Sequence, residues 1–334
     1  MKNRRLEGRD EPIIEPGLKI IDAHHHLWLH PTLSYMLDDY MSDASAGHNI
    51  VASVYVETMA FARPSGPEIL RPIGEIEFAN GAAAMALSGK LGTCRACEAI
   101  VGYADLTNGE AIGEFLDLAL QVAPTRFRGI RQVTIEDSSE APYRYILNRP
   151  QRGVMGHPLF SEGLRALGRR GLSFDSSVFH HQLPALARVA EEAPEVRIVL
   201  NHMGLAMALD TDIDGRRRIF QEWQENLNDI ARRPNVFCKI GGLGLPFWNF
   251  GFEEQDGPVT SENLAKVWKP FVESAIAAFG PDRCMMESNF SADARSCGFV
   301  PLWNALKRTV AGCSDEEKSA LFFKTAASVY RIDV

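Results

Sequence analysis

The sequence predicts an α/β protein built as a (β/α)8 barrel, because eight short apolar runs alternate with segments of helical periodicity. Several runs are rich in β-branched residues and almost continuously apolar, as parallel strands buried on both faces should be. The length of 334 residues suits one such barrel. An open doubly wound sheet is the alternative. The predicted strands are Leu18–His26, Ile50–Glu57, Ala99–Leu106, Phe127–Val133, Leu172–Phe179, Arg197–His202, Val236–Ile240 and Arg283–Phe290.

The segments between these strands carry apolar residues at helical spacing, and three of the connections are unusually long. A loop that follows a barrel strand projects from the C-terminal face, where barrel enzymes keep their active sites. The third long loop holds four aromatic residues and is interpreted either as a lid or as an ordinary surface loop. The predicted helices are Ile112–Val122, Ser161–Arg170, Gln182–Glu192, Ile219–Arg232 and Leu264–Phe279, and the long connections are Thr58–Cys97, Thr134–Pro158 and Gly241–Thr260.

Composition and charge exclude several classes of partner. The net charge is −8 and no long basic run is present, which argues against nucleic acid and anionic membrane surfaces. No apolar window is long enough for a transmembrane helix, and residues 1–17 lack the apolar centre of a signal peptide. We therefore expect a cytoplasmic protein with a flexible tail over 1–17 and one domain over 18–334. The sequence is compatible with a homo-oligomer.

The six cysteines do not predict a metal site. Cys94 and Cys97 form the one C-x-x-C pair, without the second pair or the histidines of a structural zinc site. Cys238 and Cys284 lie inside apolar strand-like runs, where a thiol packs as a small apolar side chain.

The strongest chemical signal is the stretch Asp22-Ala23-His24-His25-His26-Leu27-Trp28 at the end of the first predicted strand. Side chains alternate along a strand, so His24 and His26 point the same way and His25 points oppositely. Two imidazoles so placed can chelate a divalent ion such as zinc. A polar strand end with hydrogen-bonded histidines is the alternative interpretation.

Other polar residues end predicted strands, each with a plain structural alternative. His202 follows an apolar run and is either a site residue or a buried histidine. Of His180 and His181, adjacent residues on opposite faces, we favour His181 for the site. Glu57 is a candidate to bind a metal or orient a ligand, or else begins a helix. Lys239 lies within an apolar strand and requires a carboxylate partner or a substrate anion, unless it reaches solvent.

Two arginines on the fourth predicted strand are candidates to bind an acidic substrate. Arg128 and Arg131 are three residues apart and so face opposite sides of the strand, which leaves one of them able to point into the site. A guanidinium group binds a carboxylate or a sulfonate through two parallel hydrogen bonds.

In these motifs the sequence resembles the TIM-barrel metal-dependent hydrolases of the amidohydrolase-2 group, within the amidohydrolase superfamily. It is most similar to the lactonase branch, which includes 2-pyrone-4,6-dicarboxylate lactonase and sulfomuconolactone hydrolase. The resemblance covers about residues 18–332. The matching motifs are Asp-x-His-x-His-x-Trp on the first strand, Phe127-Arg128-Gly129-Ile130-Arg131, Asn201-His202-Met203-Gly204, Cys238-Lys239-Ile240-Gly241-Gly242 and Glu287-Ser288-Asn289-Phe290.

The resemblance implies a hydrolase that opens a lactone of an anionic small molecule, as in aromatic degradation. A divalent ion, zinc first among them, would be held by His24, His26 and His202, although lactonases of this branch include enzymes thought to work without a metal. The resemblance also implies that arginines hold the acid group and that Trp28 walls off the ring. Glu57, Arg128, Arg131, His181 and Lys239 join Trp28 as candidate substrate-binding residues.

The eighth strand departs from the family pattern. The family usually has Ser-Asp-Trp-Pro there, with the Asp as general base, whereas this sequence has Ser288-Asn289-Phe290-Ser291. An amide is not a useful base. Either Asp293 moves into the role, or Asn289 only positions the substrate, or Glu57 or His202 accepts the proton. A decarboxylase of the same superfamily and a binding protein that has lost its base are the alternative functions.

Overall fold

The computed structural model describes residues 3–30, 33–146 and 148–334, and its centre is a parallel barrel that confirms the predicted fold. Neighbouring strands follow the chain order. The last strand returns to the first through a parallel bridge between His25 and Phe290, so the open sheet is excluded. The strands are β1 (Lys19–His25), β2 (Asn49–Val56), β3 (Arg95–Gly102), β4 (Phe127–Val133), β5 (Ser173–Ser177), β6 (Ile198–Leu200), β7 (Val236–Ile240) and β8 (Cys284–Met286).

The ten α-helices of the described residues account for the remaining periodicity. None of them is long and apolar enough to cross a membrane. A short antiparallel hairpin, Trp28–His30 with Leu33–Tyr35, follows β1. The helices are α1 (Leu37–Ala44), α2 (Ile73–Leu87), α3 (Gly113–Val122), α4 (Phe160–Gly168), α5 (Leu183–Glu192), α6 (Ile213–Ile230), α7 (Ser261–Phe279), α8 (Phe299–Thr309), α9 (Asp315–Ser319) and α10 (Thr325–Tyr330), with a π-helical turn at Ala320–Lys324.

The sequence did not predict α2, and the predicted start of β3 was too late. The connection predicted at Thr58–Cys97 contains this whole helix, and β3 begins at Arg95 rather than at Ala99. The apolar residues of α2 lie on every side of the helix, and two of them, Met85 and Leu87, are exposed. Its sequence therefore lacks the polar stripe that marks a surface helix. Because β3 begins with polar residues, its first part lacks the apolar pattern by which the sequence predicts a buried strand.

The apolar core has two layers, separated by the barrel wall. The larger one lies between the strands and the surrounding helices, and includes Cys238 and Cys284 as predicted. The smaller one fills the barrel, where Ile21, Val54 and Val101 meet residues of the C-terminal segment. That segment covers the N-terminal end of the barrel, and it leaves the C-terminal end open for a site.

The segment predicted to be a flexible tail packs against the barrel over its described residues 3–17. Arg4 is buried and donates to the carbonyl oxygen of Gly257 at 2.9 Å. Arg5 forms 2.7 Å ion pairs with Asp39 and Asp43. These contacts fix the segment beside the open end of the barrel. The sequence did not reveal them because the partners of both arginines are distant in the chain.

Candidate active site

Two histidines at the end of β1 point toward the open end of the barrel. The pairing of β1 with β2 shifts between Asp22 and His25. Beyond the shift, His25 points away from the site and stacks on Tyr40, with ring centroids 4.0 Å apart. His24 and His26 point inward, and their Nε2 atoms lie 3.1 Å apart. The alternation predicted for the three histidines is confirmed.

The imidazoles of His24 and His26 are held in the neutral form that binds metals. The Nδ1 atom of His26 donates to the carbonyl oxygen of Val56 at 2.8 Å, which leaves Nε2 with its lone pair. Burial lowers the pKa of both histidines well below the usual value. Lys239 lowers the pKa of His24 further, as Arg131 does for His26.

A third histidine joins them from the turn after β6. His202 has a φ of 53°, a left-handed conformation that is uncommon outside glycine and directs its ring at the site. Its Nδ1 atom lies 2.5 Å from Oε1 of Glu287, which follows β8. The other oxygen, Oε2 of Glu287, lies 3.0 Å from Nδ1 of His24. Glu287 therefore contacts two imidazoles at once, a role that sequence reasoning missed although its motif was noted.

These residues fit a divalent ion. The Nδ1 atoms of His24, His26 and His202 each face an oxygen, from Glu287 or from Val56, and the outer contact of a metal-bound histidine is commonly of this kind. The Nε2 atoms of His24 and His26 lie as close together as two ligands of one ion. Donor atoms of His24, His202 and Glu287 also lie within 4.8 Å of one another, so a second set in which Glu287 is itself a ligand is compatible with the same geometry.

An ion pair stands beside the imidazoles. Nε of Arg131 lies 2.7 Å from Oε1 of Glu57, and Nη2 donates to the Glu57 carbonyl oxygen at 2.6 Å. Nη1 of Arg131 lies 3.3 Å from Nε2 of His24. Burial raises the pKa of Glu57, and Arg131 opposes that effect. Arg131 is thus the arginine of β4 that points into the site.

A cavity of about 730 Å³ opens above these side chains, a size typical of sites for small molecules. His24 lies beneath its floor and is fully buried. Six of the predicted site residues line this cavity: His26, Trp28, Glu57, Arg131, His202 and Asn289.

Three predicted substrate-binding residues do not line this cavity. Arg128 points to the opposite end of the barrel, where Nε donates to the Tyr330 carbonyl oxygen at 2.8 Å. His181 lies at the surface with Nε2 2.9 Å from the Glu136 carbonyl oxygen. Lys239 is fully buried below the site.

Lys239 has the carboxylate partner that its burial requires. Its Nζ lies 2.7 Å from Oδ2 of Asp175, and both side chains are fully buried. The hydroxyl of Tyr330, from the C-terminal helix, donates to the same oxygen at 2.8 Å. The pair therefore joins the barrel wall to the segment that covers its N-terminal end.

Asp293 lies one layer behind the cavity. Its Oδ1 accepts a hydrogen bond from Nδ2 of Asn289, and its Oδ2 accepts one from the backbone amide of Gly244, both at 2.7 Å. Asn289 lines the cavity and Asp293 does not. Burial raises the pKa of Asp293 to about 7.

The aromatic loop after β7 serves two purposes. Phe247 lines the cavity, as the lid interpretation requires. Trp248 is buried and packs on Trp223 and Phe271 instead. The loop is thus anchored in the helical layer while its first part forms a wall of the site.

Comparison with known proteins agrees with this arrangement. A family model described as Amidohydrolase matches residues 21–332. Protein y4mH of Sinorhizobium fredii is 34% identical, covering 94% of this chain and 99% of that protein. The L-fucono-1,5-lactonase of Burkholderia multivorans is 25% identical over 95% of this chain and 97% of that protein. An amidohydrolase structure from the same organism, with bound zinc, superposes with a TM-score of 0.68 at 24% identity. The superposition covers 94% of this chain and 99% of that protein.

Proposed function

Because the chain belongs to the amidohydrolase family, we propose that it hydrolyses the ring ester of a lactone carried by an anionic small molecule. The observation that carries this proposal is the group of three imidazoles, two of them with hydrogen-bonded Nδ1 atoms, placed beside the Glu57–Arg131 pair at a cavity of small-molecule size. The similarity to L-fucono-1,5-lactonases supports a lactone as the substrate.

His24, His26 and His202 would hold the divalent ion, for which zinc is the first candidate because all three ligands are imidazoles. A bound ion would polarise the lactone carbonyl group and make water more acidic. Glu287 orients His202 through a hydrogen bond, and its other carboxylate oxygen lies 3.0 Å from Nδ1 of His24.

We assign the proton acceptor to Glu57. Of the three candidates that the sequence offers, Asp293 lies behind the cavity, and His202 contacts Glu287 and would also hold the ion. Glu57 lines the cavity, and burial raises its pKa toward the range that suits a general base. Arg131 holds one oxygen of Glu57, and so fixes the direction in which the carboxylate faces the cavity.

The test combines metal analysis with product analysis. The purified protein is assayed for its zinc content and for acid release from a panel of acidic and neutral lactones. The double variant His24→Ala/His26→Ala should lose zinc and activity while its thermal unfolding stays cooperative. His157→Ala, which removes an exposed histidine, is the control and should retain both.

One result would reject the lactonase function, and another would reject only the role of the ion. Release of carbon dioxide without ring opening would identify a decarboxylase, the alternative that the sequence left open. Full activity after exhaustive chelation would reject the role of the ion while retaining the lactonase.

A further inference from the structure

The arginines around the cavity differ in whether a carboxylate already neutralises them. Of the described residues, five arginines line the cavity, and four form ion pairs. In each of the four, a guanidinium nitrogen lies 2.7 Å from a carboxylate oxygen. The pairs are Arg5 with Asp39 and Asp43, Arg131 with Glu57, Arg144 with Asp210, and Arg149 with Glu140.

Arg295 is the fifth arginine, and within residues 3–30, 33–146 and 148–334 it has no ion pair. Its Nε donates to the carbonyl oxygen of Ala292 at 3.2 Å, which leaves the outer nitrogens for another partner. Its Nη1 is buried and has no hydrogen-bond partner among these residues. Its guanidinium carbon lies 5.8 Å from the ring centroid of Tyr145, so the cation packs against this ring.

The charges near Arg295 do not replace an ion pair. Burial lowers the pKa of its guanidinium group, whereas Asp293 and Glu253 act in the opposite direction. Asp293 already receives hydrogen bonds on both oxygens, from Asn289 and Gly244. A buried cation without a partner costs free energy, and a ligand that supplies the missing acceptor recovers it.

Two more buried donors line the same cavity without a partner in the described part of the chain. They are Oγ of Ser291, four residues before Arg295, and Nε1 of the Trp28 indole. A hydroxyl and an indole N–H both donate to a carboxylate oxygen, and a guanidinium group adds a charged donor. Unpartnered donors of this kind in one cavity indicate that a ligand is the missing acceptor.

We propose that Arg295, with Ser291 and Trp28, forms a subsite for the carboxylate of the substrate, so that the enzyme selects acidic lactones over neutral sugar lactones. The assignment rests on the proposed lactonase function and specifies its substrate class. It also replaces the arginines named from the sequence, because Arg131 is neutralised by Glu57 and Arg128 points to the opposite end of the barrel.

The kinetic test compares two substrates that differ in one group. One is γ-butyrolactone carrying a ring carboxylate, and the other is the same lactone carrying a carboxamide. For the carboxylate substrate, Arg295→Met should raise KM by about 10–100-fold, the usual effect of losing a hydrogen bond to a charged group. For the carboxamide, KM should change by less than about threefold. Arg295→Lys should retain part of the preference.

Arg149→Met is the matched control, because it removes an equal charge from an arginine that Glu140 already neutralises. This variant should leave the KM of both substrates unchanged. The proposal would be overturned if Arg295→Met raised KM equally for the two substrates. It would also be overturned if the wild-type enzyme preferred the carboxamide substrate. Should Arg295→Met fail to fold, the same preference in Arg295→Lys as in Arg149→Met would also overturn it.

A binding measurement separates the subsite from the reaction. In calorimetric titration, glutarate should bind to the wild type, and Arg295→Met should weaken this binding by at least about tenfold. Glutaramide should bind to neither protein. If no lactone is hydrolysed but this difference is found, the lactonase proposal fails and the carboxylate subsite stands. If glutarate binds both proteins equally, the subsite fails whatever the activity.

Discussion

Oε1 of Glu287 lies 2.5 Å from Nδ1 of His202, although 85 residues separate the two side chains in the sequence. Because Oε2 also approaches His24, replacing the carboxylate would free two rings of the proposed metal site. We expect Glu287→Gln to lower zinc affinity or turnover by about 10–100-fold, the usual effect of removing an outer contact of a metal ligand. Zinc titration with a competing chelator measures the first quantity. Unchanged zinc affinity and turnover would contradict the role of Glu287.

A glycine after β7 sets the space for the His202 ring. Gly242 has a φ of +62°, and a Cβ atom there would overlap the imidazole. Gly242→Ala should therefore displace His202 and lower kcat by about 100-fold, as small misplacements of a reacting group do. Gly251→Ala is the control, since Gly251 has a φ of +77° with no atom within 4 Å of the added Cβ. It shares the backbone strain, so equal loss of kcat in both variants would show that the ring is not involved.

The sequence identified the barrel and the first half of the site for the same physical reason. Buried parallel strands leave a continuous apolar signal, and the period of two places His24 and His26 on one side. Contacts between strands leave no such signal, so the link from Glu287 to His202 was missed. Likewise, among the described arginines that line the cavity, Arg295 differs in having no carboxylate partner, and that property exists only in the folded chain.

The identity of the proton acceptor is decided by comparing two carboxylates. Glu57→Gln should lower kcat by about 10²–10⁴, the usual contribution of general acid–base catalysis. Asp293→Asn should stay within about tenfold of the wild type, because Asp293 contacts the cavity only through Asn289. Steady-state kinetics on one acidic lactone measure both. The opposite order of effects would return the role to Asp293 and remove it from Glu57.

The buried pair of Lys239 and Asp175 should matter for stability. Lys239→Met would leave Asp175 as a buried charge with the neutral donors Tyr330, Asn201 and Ser173, and we expect a loss of about 3–5 kcal/mol in the free energy of unfolding. The double variant Lys239→Met/Asp175→Asn should recover part of this loss, since it removes both charges. Urea unfolding followed by fluorescence measures the difference. Equal stability of the single variant and the wild type would contradict the prediction.

Asp293 should make stability depend on pH near neutrality. Burial raises its pKa in the folded protein to about 7, above the value of about 3.8 for an unperturbed carboxyl group. The folded state therefore holds this proton more tightly than the unfolded state, and the resulting stabilisation is complete below about pH 4 and lost as the pH rises through 7. Within that window, this one group should lower the free energy of unfolding by up to about 1.4 kcal/mol per pH unit.

The measurement of that pH dependence requires a variant that removes only the Asp293 titration, because other groups titrate in the same range. Asp293→Asn keeps one acceptor oxygen for Asn289 or Gly244 and carries no charge, so its curve gives the background. We expect the wild type to lose stability relative to Asp293→Asn between pH 5 and about pH 8. Parallel curves across this range would mean that the Asp293 carboxyl group is already ionised at pH 5. In that case its two hydrogen bonds, rather than its burial, set its charge.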